Sequence, residues 1–120
     1  MFWQKDIELM DVGQIRKTQL DCINKEIEIA KKSEFYKKKL SNTDKISSLD
    51  EVKTLPFTTK EDLRNAFPYG FLATDLKNVI RLHSSSGTTG NPTVVFHTEF
   101  DIANWANLSA RCMYGAGARN

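Results

Sequence analysis

The 120 residues predict a mainly helical chain with one short β-hairpin. Three observations carry that expectation. Helix caps precede apolar residues at helical spacing through the first 77 positions, two short β-prone runs lie at 79–82 and 94–96, and a glycine-bearing loop joins those runs. Hydrophobic residues at 40% and charged residues at 27% sit within ordinary globular usage, which argues against a disordered tail, a collagen-like repeat or a membrane protein. A folded monomer of 13.7 kDa is expected to expose about 6,600 Å², which leaves room for a modest core.

The elements follow in order. Asp11 with Gln14 offers an N-cap and its box partner, after which Leu20, Ile23, Ile27 and Ala30 recur along one helical face. Ser33 caps a further turn through Phe35, Tyr36 and Leu40. Ser48 with Glu51 repeats the capping-box pattern, and Pro56 breaks the chain before Thr58 or Thr59 starts another helix, stopped by Pro68 and Gly70. Val79, Ile80 and Leu82 then predict a strand, and Val94, Val95 and Phe96 predict its partner. Thr98 and Asp101 make a capping box for a last helix ending at Gly115 or Gly117, with Ile102, Trp105, Ala106, Ser109 and Met113 on one side. Trp105 and Met113 are expected in the core. The organisation is thus a helical lead-in over 1–77, then strands, loop and helix over 78–120. A lone two-stranded hairpin is marginal in water, so the chain is expected to be the front of a longer protein.

Several functions are excluded or weakened by simple counts. A surplus of +2, from 17 Lys and Arg against 15 Asp and Glu, gives no electrostatic case for nucleic acid. The start of the chain has an early acid and no long apolar run, so neither a secretory signal nor a membrane span is expected, and the predicted location is cytoplasmic. Cys22 and Cys112, with only His83 and His97 to join them, match no zinc spacing and no redox pair. The lysines at 31, 32, 37, 38 and 39 form a basic run that reads as a solvated face, with attraction of an acidic group as the sharper alternative.

The loop at 84–93 holds three Ser, three Thr, two Gly, one Asn and one Pro, without a charge. Hairpin loops usually span 2–5 residues, so its length asks for a reason. Composition alone fits two readings. One is a flexible connector. The other is an anion nest, in which Gly87 and Gly90 let the backbone approach a ligand while successive N–H groups and the hydroxyls of Ser84, Ser85, Ser86, Thr88 and Thr89 point into one concavity. Neither a Walker A loop nor a dinucleotide fingerprint fits, because the lysine of the first and the glycine spacing of the second are absent.

The order of the residues separates the two readings. Ser85-Ser86-Gly87-Thr88-Thr89-Gly90-Asn91-Pro92-Thr93 resembles the phosphate-loop signature of the adenylate-forming superfamily, which includes acyl- and aryl-CoA synthetases. The stretches Leu55-Pro56-Phe57-Thr58-Thr59-Lys60-Glu61-Asp62-Leu63 and Arg81-Leu82-His83-Ser84-Ser85-Ser86, the positions Ala110-Arg111-Cys112 and Gly117-Ala118-Arg119, and the opening Phe2-Trp3 with Ile7-Glu8 are similar to the phenylacetate-CoA ligase family. The resemblance covers nearly the whole chain.

That resemblance implies an α/β large domain in the intact parent and an ATP-dependent ligase that activates phenylacetate or a similar aryl acid as an acyl adenylate. The acyl group then passes to coenzyme A, with AMP and pyrophosphate released and magnesium accompanying the ATP. It implies ATP phosphate binding by Ser84, Ser85, Ser86, Gly87, Thr88, Thr89 and Gly90, no catalytic residue or metal ligand of the reaction within these 120 residues, and no activity of the piece alone. Two departures stand out: Asn91 and Thr93 occupy positions where relatives carry lysine, so this loop holds no cation. A different adenylate-forming enzyme and a non-catalytic helical interaction module are the alternatives. Apolar faces awaiting absent strands make a homodimer the expected state of the isolated piece.

Overall fold

The computed structural model describes residues 2–85 and 91–119. Among them are five α-helices, α1 (Lys5–Glu8), α2 (Val12–Ala30), α3 (Glu34–Lys39), α4 (Lys60–Asn65) and α5 (Glu99–Gly115), and one antiparallel pair of strands, β1 (Val79–Ser84) and β2 (Val94–Thr98). Short 3-10 turns run through Leu49–Thr54 and Leu76–Asn78. The mainly helical chain with a single hairpin is as the sequence predicts.

Capping explains where the helices begin. The Asp11 carboxylate accepts from the Gln14 N–H at 2.9 Å while the Gln14 side chain receives the Asp11 N–H at 3.3 Å, closing a reciprocal box at the head of α2. Thr59 with Asp62 does the same for α4, and Thr98 with Asp101 for α5. Ser33 caps α3 and is fully buried, its Oγ donating to Ala30 at 2.7 Å and accepting from the Tyr36 N–H at 3.2 Å. The box expected at Ser48 does not form. There the Ser47 and Ser48 hydroxyls both donate to the Glu51 carboxylate, and the segment winds as a 3-10 turn without a side-chain cap. Competition between a serine and its neighbour for one carboxylate is not visible in the cap pattern itself.

The lead-in gathers around one small core. Ile27 of α2, Leu40 and Ile46 are its buried apolar residues, and Leu20, Ile23 and Ala30 flank Ile27 half-buried on the face the spacing predicts. Asn24 fastens the 41–48 segment to α2 like a missing strand, donating to the Ile46 carbonyl at 3.0 Å and accepting the Ile46 N–H at 2.9 Å. Phe35 stacks on Phe71 at 4.3 Å, Tyr36 meets both rings edge-on, and the Phe35 N–H donates to the Gly70 carbonyl at 2.9 Å, so α3 is tied to the chain leaving α4. The basic run is partly recruited: Lys39 bonds Asp62 at 2.8 Å over the Phe35 ring, Lys31 reaches the Thr43 carbonyl, and Lys38 pairs with Glu34 on the surface.

The start of the chain is bound to the last helix. Trp3 donates its indole N–H to Asn107 at 2.7 Å and tilts against Tyr114, while Arg111 donates to Gln4 at 2.7 Å with Glu8 4.0 Å away. A clamp across more than 100 residues leaves no local pattern, and the sequence gives no hint of it.

The expected modest core is smaller than scaling requires. Accessible surface is 9197 Å², about 40% above the value for a folded monomer of this mass. The radius of gyration is 17.2 Å against about 14 Å for a packed domain of this length. Trp105 and Met113, expected in the core, are 50% and 62% exposed; among the described residues Trp105 meets only the imidazoles of the hairpin on one side. The apolar stripe is there; the surface it would pack against is not.

Candidate functional site

The hairpin builds the root of the Ser/Thr/Gly loop. Leu82 pairs with Phe96, His83 with Val95 and Ser84 with Val94, and an irregularity between Val79 and Arg81 sets Arg81 opposite His97. Above the last strand pair, Ser85 and Thr93 continue the ladder. The Ser85 N–H donates to the Thr93 carbonyl at 3.1 Å, the Thr93 N–H reaches the Ser85 hydroxyl at 3.3 Å, and the two hydroxyls share a hydrogen bond of 2.6 Å. The loop is therefore pinched closed at Ser85 and Thr93, inside the ten residues counted in the sequence.

Of the seven residues expected to hold phosphate, Ser84 and Ser85 are placed at this root, both exposed. The Ser84 hydroxyl lies 3.4 Å from the Ser85 carbonyl. Ser86, Gly87, Thr88, Thr89 and Gly90 lie outside the described residues. Thr93 joins the root through its hydroxyl, a member of the constellation that counting loop composition does not single out.

The two faces of the hairpin differ. Leu82, Ser84, Val94 and Phe96 share one face, where Phe96 stacks on Tyr69 at 5.7 Å and so docks the hairpin on the helical lead-in. The other face carries Arg81, His83 and Ser85 beside Thr93, Val95 and His97. On it the imidazoles of His83 and His97 meet at 4.8 Å, and Trp105 of α5 touches both, at 5.6 and 6.0 Å. The meeting of these two histidines was not legible in the sequence, since only the register brings position 97 back beside position 83.

Charge near the site is organised by the α5 cap. Asp101 accepts from the Thr98 N–H at 2.7 Å and from its hydroxyl at 2.8 Å. Those bonds, with the positive field of His97, hold its carboxyl below the ordinary aspartate range. Among the described residues no group of three or more His, Cys, Asp or Glu side chains is arranged to hold a metal ion, and no helix is long and apolar enough to cross a membrane. Both cysteines are free and exposed.

A cavity of about 580 Å³ opens under the hairpin between α2, β2 and α5, lined by Ile29, Leu63, Phe71, Val94, Phe96 and Phe100 among others. A second, of about 730 Å³, lies between α3 and α4 beside Phe35, Lys39, Phe67 and Tyr69. Neither contains the loop root.

No family model matches the chain. Curated relatives do match it. It is 48% identical over 79 residues to "Phenylacetate-coenzyme A ligase" of Pseudomonas putida, covering 66% of this chain and 18% of that protein. The protein of the same name from Escherichia coli (strain K12) is 47% identical over 74 residues, covering 62% of this chain and 17% of its own length. The one from Thermus thermophilus is 33% identical over 124 residues, covering 99% of this chain and 28% of its own length. The chain thus spans less than a third of the curated relatives it matches. Over that matched stretch it is a relative of the phenylacetate-coenzyme A ligases.

Proposed function

We propose that these 120 residues form the amino-terminal, phosphate-loop part of an adenylate-forming ligase that joins phenylacetate, or a similar aryl acid, to coenzyme A at the expense of ATP. The observation that carries the reading is the hairpin root, in which Ser85 and Thr93 close a Gly-bearing, hydroxyl-rich loop at the end of two antiparallel strands. The similarity to four proteins named as phenylacetate-coenzyme A ligases supports it.

In the proposed reaction the acid's carboxylate attacks the α-phosphate of ATP and pyrophosphate departs. The thiol of coenzyme A then attacks the acyl adenylate and AMP leaves. Negative charge grows on the departing pyrophosphate. N–H and O–H donors already aimed at it lower that barrier without reorganising. Ser84 and Ser85 supply hydroxyls at the root; Ser86, Gly87, Thr88, Thr89 and Gly90 are assigned the remaining contacts. Each hydrogen bond to a charged phosphate contributes about 1.5–3 kcal/mol, so four or five hold a polyphosphate without a loop lysine. The described residues do not fit a resident magnesium ion, lacking a cluster of acidic ligands, and no step here runs through one.

The domain division at residue 77, the cytoplasmic location and the homodimer of the isolated piece belong to the same proposal, as does the inactivity of these residues alone. The test is a chimaera in which this chain replaces the matching stretch of the Escherichia coli relative. Phenylacetate-dependent pyrophosphate release is expected from it, and Gly87→Val is expected to abolish release, since the phosphate-loop reading assigns that glycine a close approach to the ligand. A Gly87→Val chimaera that turns over as fast as its parent overturns the assignment. Benzoate-like, indole-containing and aliphatic acids run beside phenylacetate define the acid.

A further inference from the structure

The loop at 84–93 contains no lysine, arginine or histidine, and yet a polyphosphate brings several negative charges to it. Groups able to carry positive charge stand on the hairpin face below the loop root. Strand alternation puts His83 about 7 Å below Ser85 on the same face, and Arg81 a further step down opposite His97. Arg81 and His83 are exposed, and His97 is half-buried. The imidazoles sit 4.8 Å apart at 64°, with Trp105 stacked against His97 at 27° and edge-on to His83.

We propose that Arg81, His83 and His97 form a proton-gated anion subsite beside the loop root, which takes the charge of a polyphosphate that the loop itself leaves unmatched. This rests on the phosphate-loop reading and adds residues to it.

The physical case is one of linked equilibria. Imidazole gains or loses its charge between pH 5 and 8. Two imidazoles in contact, with the Arg81 guanidinium on the same face, repel one another when both are protonated, and an anion seated against them removes that opposition. Anion binding and proton uptake therefore favour each other by the same factor. Asp101 is the acid beside His97, but its carboxylate is already engaged by the Thr98 N–H and hydroxyl. An apolar packing role does not account for the trio, because His83, Arg81 and half of Trp105 face solvent.

The test is a titration of the 120-residue chain with inorganic tripolyphosphate between pH 5.5 and 8, followed through the imidazole carbon–proton NMR signals. The chain has 2 histidines, so His83→Gln and His97→Gln each assign one signal. Tripolyphosphate is expected to raise both imidazole midpoints. Its affinity is expected to fall about tenfold between pH 6 and 8 beyond the fall seen in the double His83→Gln/His97→Gln variant, where only the ligand's own ionisation acts. Binding with unmoved imidazole midpoints overturns the subsite, and so does an absence of binding at pH 6. Neither outcome needs a variant to fold. Gly87→Val separates this inference from the reading beneath it. If that variant binds tripolyphosphate as wild type does, with both imidazoles shifting, the subsite stands and the loop assignment fails. If it loses binding while wild-type histidines stay silent, the loop stands and the subsite fails.

Discussion

Gly117 and Gly115 are two residues apart and answer to opposite physics. Gly117 has φ 102°, and around it the Gly117 N–H donates to Tyr114 at 3.1 Å and the Ala118 N–H to Met113 at 3.0 Å, the two bonds of a left-handed helix stop. Gly115 is the last residue of α5, and a Cβ there meets nothing within 4 Å. Gly117→Ala is therefore expected to destabilise the chain by about 1 kcal/mol, from the steric cost of that backbone conformation. Gly115→Ala is expected to stabilise it by a few tenths to about 1 kcal/mol. Urea midpoints followed by circular dichroism check both signs, and a common sign would show that the helix end is not organised this way. Gly70 is a third case, set by space: its Cβ would lie 2.6 Å from the Ala66 Cβ and 2.7 Å from the Ala66 carbonyl oxygen, so Gly70→Ala must displace the turn after α4. Its loss of stability is expected to exceed that of Gly117→Ala in the same measurement.

At the scale of elements, local chemistry was legible and register was not. Four helix starts were readable because a cap and its partner lie within three residues of each other, as at Asp11, Ser33, Thr59 and Thr98. The strands were readable from β-branched runs, and the loop from its glycines and hydroxyls. What could not be read was anything fixed by pairing across the chain. The Ser85–Thr93 pinch, the His83–His97 contact and the Trp3–Asn107 clamp join residues 8, 14 and 104 positions apart. Thr98→Ala is expected to cost about 1 kcal/mol and to loosen the strand-to-helix junction next to His97. The Asp101 carboxyl is held low by the Thr98 N–H first and its hydroxyl second, so its folded value lies below its unfolded one. Its contribution is complete above about pH 4 and is lost as the pH falls through the folded value. The gap between the urea midpoints of wild type and Thr98→Ala is thus expected to narrow from pH 7 toward pH 2 without closing, because the Thr98 hydroxyl also accepts the Asp101 N–H at 3.3 Å. A gap that persists undiminished in acid would place the cap's strength elsewhere than in that carboxylate.

For the whole molecule the deciding quantity is uncovered surface. The 9197 Å² exposed exceeds the folded-monomer value by about 2,600 Å². A standard interface removes only about 800 Å² from each partner. One dimer contact therefore covers less than half of the excess, and a larger body, as in the proposed parent ligase, would cover the rest. The relatives, of which this chain spans 17–28%, are long enough to supply one. Phe100 at 76%, Phe57 at 87% and Leu82 at 52% exposure mark the bare regions, with both outer edges of the hairpin unpaired among the described residues. Such edges are templates for another strand. The isolated chain is accordingly expected to do two things at once: to bind an apolar dye such as anilinonaphthalene sulfonate strongly, and to self-associate as concentration rises in sedimentation equilibrium. Phe100→Ser is expected to weaken self-association while leaving the helix content unchanged, since Phe100 stands in the first turn of α5 with its ring in solvent. In the chimaera with a full-length relative, dye binding is expected to fall toward that of an ordinary folded protein, as the proposed parent would cover these faces. A monodisperse monomer without dye binding at high concentration would mean that the apolar faces are already satisfied within the 120 residues, and the part-of-a-larger-ligase reading would lose its thermodynamic support.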